Sequence, residues 1–325
     1  MQIPRSRSNR ALLSTLLLAL VFAVAGALSP PDSSAATAKA KQKTFASPEE
    51  AVKAMIDAMK AGDKAQLSAI FGPGAEQVIS SGDEVVDKGE RERFLKSYEE
   101  KSSLEKKGDD QAILQVGKDD WPLPIPIRKT GSAWSFDVKA GKEEILNRRI
   151  GRNELNVIDI LEIYVAAQRE YAAKDRDGDG VYPYAQKIRS TPGKKDGLYW
   201  EAGEREEQSP LGPLAAEAAR EGYAKKSGSG KPVPFHGYFF RILSAQGKNA
   251  PGGRYSYLVK GKMLLGFAMV AYPANYGVSG IMTFLVNQEG VVYQKDLGED
   301  TLKAAAGLEA YDPDGTWAEV KKPQS

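Results

Sequence analysis

Three aspartates alternate with other residues in one short stretch, Asp175-x-Asp177-x-Asp179, and Gly180 follows directly. Carboxylates at alternating loop positions can converge on one hard cation, and a glycine permits the sharp turn that EF-hand-type calcium loops make at their sixth position. Counted from Asp175, the seventh-position carbonyl belongs to Val181 and the twelfth-position side chain to Gln186. Asp175, Asp177, Asp179, Val181 and Gln186 therefore form a candidate calcium site, with the ion in a structural role. The fit degrades late in the loop. Pro183 stands at the ninth position with no donor, and Gln186 offers a neutral amide where a bidentate glutamate is usual. That missing charge places the expected affinity near the extracellular range, roughly 10⁻⁴–10⁻³ M. The competing reading is an Asp/Gly turn whose carboxylates accept backbone N–H groups.

Other chemistry is scarce. The chain has no cysteine, which excludes disulfides, thiol catalysis and cysteine-ligated metals. Its one histidine, His236 in Pro234-Phe235-His236-Gly237, would have to serve any triad, and no Gly-x-Ser-x-Gly elbow exists. His236 is read as a residue where a strand begins. Gly228–Lys231 is not a P-loop, since Pro232 follows where Ser or Thr is needed. Arg148, Arg149, Arg152, Asn153 and Glu154 make a dense polar patch. It reads either as an anion or carboxylate clamp, or as inter-module salt bridges with Asn153 capping a helix. Tyr182, Tyr184, Tyr199 and Trp200 surround the acidic loop, where aromatics stack on a sugar or peptide or simply cover a core.

The element that must carry the loop is a long apolar helix over Asn153–Lys174. Leu155, Ile158, Leu161 and Val165 recur at helical spacing, and Val157, Ile160, Ile163 and Tyr164 widen the stripe. Before it, Ser47-Pro48-x-Glu50 is an N-cap with a capping box. Helices are expected from there to Gly62, over Lys64–Phe71 and over Lys88–Lys101, then strands over Gln111–Val116, Ile125–Lys129 and Ala133–Val138. A further helical stretch, Glu143–Arg149, leads through Gly151 into the central helix. After the loop come a short helix over Leu214–Ala224, the flexible stretch 225–231, and strands over Tyr238–Leu243, Met263–Tyr272, Gly280–Val286 and Val291–Asp296. Asp312–Gly315 is a type I turn signal, with Trp317 packing back on the body. Helices, then a meander of strands, means α+β.

Residues 1–36 read as a secretory signal peptide: Arg5, Arg7 and Arg10, the apolar run Ala11–Leu28, then small residues up to Ala36. The expected location is periplasmic or extracellular, with no membrane span in the mature chain. Removing this segment takes three of 45 basic and one of 43 acidic residues, leaving 42 of each. A neutral mature chain does not call for nucleic acid as a partner. The expected organisation is a linker at 37–44, one module at 45–150, a second at 151–318 and a tail at 319–325.

The blocks RRIGRNEL (148–155), DRDGDGVYPYAQKI (175–188), STPGKKDGLYW (190–200) and YPANYGVSGIMTFLVNQEGVVYQKDLG (272–298) resemble the bacterial domain-of-unknown-function family 2950. The resemblance covers about residues 45–318. It implies an exported envelope protein and supplies no activity. At the level of fold, residues 45–150 look like the cone-shaped cystatin-like or nuclear-transport-factor-like module. Residues 153–298 look like the globular part of a pilin, a long helix followed by an antiparallel sheet. Fold does not fix function. The leading expectation is a non-enzymatic protein that binds an envelope protein or a small ligand. The alternatives are a hydrolase of envelope polymers using Asp/Glu chemistry in the cone, and a component of a pilus-like or secretion assembly. A conical pocket lined by apolar residues plus one buried carboxylate with a raised pKa would favour the enzyme; a pocket filled by Trp121, Trp134 and Phe136 would favour the binding or structural reading.

Overall fold

The first helix is capped by Ser47, whose hydroxyl accepts the Glu50 N–H. The Glu50 carboxylate reaches back to accept the Ala46 N–H, one residue beyond the usual reciprocal bond of a capping box. A computed structural model describes residues 42–203, 205–223 and 233–321. The leader 1–36 and the stretch 225–231 lie outside them.

In the first half, α1 (Pro48–Ala61) ends at Gly62 in the left-handed conformation, and α2 (Lys64–Phe71) starts on the Asp63 cap. A one-turn helix, α3 (Glu76–Ile79), precedes α4 (Glu84–Glu100), which begins four residues earlier than expected because Asp83 caps Val85 and Val86. The strands are β1 (Ser102–Lys106), β2 (Gln111–Val116), β3 (Trp121–Pro122), β4 (Ile127–Thr130) and β5 (Ala133–Phe136). They pair antiparallel in the order β1-β2-β4-β5, with β3 also on β2. Alternation along β2 buries Ala112, Leu114 and Val116, and these join Met55, Ile70, Phe71 and Phe136 in one core.

The central helix is longer than the apolar stripe suggests. α5 runs Val138–Tyr171 without interruption, so Gly151 does not break it, and the strand expected to reach Val138 stops at Phe136. Asp137 caps its start. Leu155 and Ile163, placed in the stripe by spacing, face solvent at 62% and 40% exposure. The packed face carries Val157, Leu161, Tyr164 and Val165 instead.

The second half holds α6 (Gly212–Glu221), then β6 (Tyr238–Leu243), β7 (Ala245–Gln246), β8 (Tyr255–Ser256), β9 (Leu258–Val259), β10 (Lys262–Met263), β11 (Ala268–Pro273), β12 (Met282–Asn287), β13 (Tyr293–Asp296), α7 (Thr301–Ala306) and β14 (Ala318–Glu319). The main sheet is antiparallel in the order β14-β13-β12-β11-β6. Val270 pairs with Leu285 and with Arg241 across its centre. Met263 is separate from β11, pairing in a small hairpin with Leu258. Consecutive residues of β11 and β12 are buried, so both faces of the sheet are covered. The core there joins α5 to Phe267, Phe284, Leu285 and Tyr257. Among the described residues no helix is long and apolar enough to cross a membrane. The fold is α+β.

Candidate functional site

The acidic loop is held by the chain itself. Asp175 turns both carboxylate oxygens onto backbone, accepting N–H bonds from Gly178, Asp179 and Gly180 at 2.8, 3.2 and 2.8 Å. Those bonds, the one from Gly180 foremost, hold its carboxyl below the usual range. Asp177 and Asp179 converge on one cation, the Lys262 ammonium, at 2.7 and 2.5 Å. This hydrogen bonding lowers Asp179 and raises Lys262. Val181 donates its N–H to Asp179, and the Gln186 amide donates to the Gly261 carbonyl. Two of the five candidate ligands thus meet at a cation, and a lysine supplies it. Sequence could place the aspartates together, but not a lysine some eighty positions on.

The neighbouring aromatics divide. Tyr182 is exposed, whereas Trp200 and Tyr171 sandwich the Arg176 guanidinium at 5.0 and 4.4 Å. Glu207 gathers Arg176, Lys174 and Lys195, each at 2.9 Å. Hydrogen bonds from Lys174 first, then Lys195 and Arg176, pull its carboxyl down to about 2.

The polar patch on α5 is resolved residue by residue. Arg149 is buried and donates to the Gln77 and Val78 carbonyls at 2.7 Å each, while its Nε has no partner. Burial pushes its guanidinium down from the ordinary value. Asn153 caps no helix; its amide donates to the Ser279 carbonyl at 2.8 Å. Glu154 accepts the Ile281 and Met282 N–H groups at 2.9 Å. Arg152 pairs with Glu90, and Arg148 with Glu144. The patch therefore joins the two halves through carbonyls and N–H groups more than through ion pairs.

Above Arg149 lies a cavity of about 380 Å³, inside the usual range of small-molecule sites, roughly 300–1,000 Å³. α2, α4, α5 and the segment around β3 enclose it. It is not plugged. Trp134 and Phe136 are core residues, and Trp121 stands on the lining at 38% exposure with Arg148 over its ring. Its buried carboxylate, Asp87, accepts from Ser80 Oγ, Ser81 N and Ser81 Oγ at 2.9, 2.9 and 2.7 Å. Those bonds commit both oxygens to holding the loop before α4.

His236 lies in the turn two residues before β6 rather than in the strand itself, with a positive φ of 49°. Its N–H donates to the Tyr223 hydroxyl, which donates at 2.6 Å to the buried Asp83.

Residues 42–320 match a family described as a protein of unknown function, DUF2950. The chain belongs to that family. No curated protein and no solved structure matches it. In this member of the family, Lys64, Asp87, Arg91, Arg93 and Phe94 line the cavity without having stood out in the sequence. The signal was there in α4, which carries Arg91 and Arg93 beside Phe94 on a helix with almost no apolar stripe.

Proposed function

We propose that the protein is a non-enzymatic binding protein whose small ligand occupies the cavity of its first half. One observation carries this reading: α4, 17 residues long, buries no hydrophobic side chain, and its Phe94, Leu95 and Tyr98 are only half covered. A helix normally lays an apolar face on the core. Here part of that face opens onto space. Helices packed on an antiparallel sheet support the cone-like description of residues 45–150, and a long helix laid on an antiparallel sheet supports the pilin-like description of residues 151–318. The leader at 1–36 supports export to the periplasm or beyond. We also propose calcium as a structural competitor of Lys262 at Asp175–Gln186, since Asp177 and Asp179 already converge on one positive charge.

The cavity reading is tested with N-phenyl-1-naphthylamine, a neutral probe that brightens in apolar sites. Saturable uptake by the parent protein, abolished in Ile145→Trp with its melting temperature kept, is the expected result. No uptake by the parent overturns the reading.

A further inference from the structure

The lining of the cavity is sorted by depth. Its buried members are apolar, such as Leu67, Phe71, Val116 and Ile125, apart from Asp87 and Arg149. Its exposed members are Lys64, Arg93, Arg148 and Arg152, with Trp121 beside them. With Arg91 the lining holds six basic side chains against two carboxylates, Asp87 and Glu90, and Glu144 outside the lining answers Arg148, which leaves an excess of three positive charges. Asp87 is committed to Ser80 and Ser81, and Glu90 to Arg152. Lys64, Arg91 and Arg93 make no ion pair among the described residues. Arg149, 4% exposed, keeps an Nε without a partner.

Such a lining matches a molecule with two ends. We propose that the ligand is an amphiphile with one apolar tail, seated among the buried aliphatic and aromatic residues, and an anionic carboxylate or phosphate head held by the arginines of α4 and α5. The inference rests on the cavity reading above and adds the ligand's chemical class. Guanidinium groups hold carboxylate and phosphate through paired N–H bonds, which a hydroxyl or ester head cannot reproduce. Low-dielectric walls strengthen the attraction relative to water. A purely apolar ligand would leave the excess charge unanswered at the edge of an apolar space.

The test is displacement of N-phenyl-1-naphthylamine from the parent protein by dodecanoate, dodecyl phosphate and dodecanol, each below its micellar concentration. Arg91 and Arg93 make no ion pair among the described residues, so the double variant Arg91→Gln/Arg93→Gln is expected to melt where the parent does. One or both acids should displace the probe at about tenfold lower concentration than dodecanol, as one charge-assisted hydrogen bond would give. That advantage should shrink severalfold in the double variant and in high salt. The stronger of the two acids identifies the head group. Equal displacement by all three, or an advantage unchanged in the double variant, overturns the anionic head and leaves the cavity reading standing. No probe uptake by the parent overturns both.

Discussion

Arg149 and Asn153 stand one helical turn apart on α5, yet they bind opposite halves of the molecule. Arg149 donates to the carbonyls of Gln77 and Val78, and Asn153 to that of Ser279. One turn of helix thus serves as a staple between two cores. Both side chains are buried, but only the Asn153 bond to Ser279 is buried throughout, since Gln77 is exposed.

Arg149→Met should cost about 1–3 kcal/mol, because two part-buried carbonyls lose charge-assisted bonds. Arg149→Lys should recover part of this, since an ammonium lacks the fork that spans two acceptors. Urea denaturation of the three proteins measures it. A loss below about 0.5 kcal/mol for the methionine variant would mean the staple carries no weight.

Tyr223→Phe removes a hydroxyl that donates to Asp83 and accepts from the His236 N–H. The expected loss is about 1–3 kcal/mol, since a buried carboxylate is left one donor short. The folded protein should otherwise keep its far-ultraviolet circular dichroism.

Gly237→Ala should destabilise by roughly 2 kcal/mol or more, through two effects at one position. The backbone there has φ of 77°, and an added Cβ would lie 2.7 Å from the Asn153 amide nitrogen. A thermal melt indistinguishable from the parent's would show that the helix and the start of β6 can separate at little cost.

Stability should fall in acid partly through Glu207, whose carboxyl is drawn from an ordinary 4.5 to about 2. A carboxylate lowered on folding contributes stability that is complete above its unfolded pKa and is lost as pH drops towards the folded one. The window is therefore from about pH 4.5 down to about 2. Glu207→Gln should flatten this part of the stability–pH curve and leave the slope at neutral pH unchanged.

Lys262→Met frees Asp177 and Asp179 from their present cation. Calorimetric titration should then show calcium binding at least severalfold tighter than in the parent. Absence of heat in both proteins would reduce Asp175–Gln186 to a turn.

Much of the fold was legible because local chemistry agreed with it. Ser47 and Pro48 mark a helix start, and α2 and β2 fall on the residues expected for them. Gly151 misled, because a glycine inside a helix weakens it without ending it when its neighbours are packed on both sides. Leu155 and Ile163 misled for a different reason: spacing gives a stripe, and the sheet decides which edge of it is covered. β1 was missed, since all its residues but Leu104 are polar and pairing with β2 makes it a strand. The cavity is a property of tertiary packing. Its basic lining comes from α2, α4 and α5, and no local pattern joins them.

α5 is 34 residues long, so at 1.5 Å per residue it spans about 50 Å. Its first half completes a core made entirely of residues that precede it, while Val157, Leu161 and Tyr164 wait for strands from Tyr238 onwards. In a chain folding from its N-terminus, the first half can therefore finish early and carry a half-bare greasy rod. Species of that kind are the ones that aggregate. The interval before β6, β11 and β12 arrive to cover the rod is the point in this protein's folding where a holding chaperone would act.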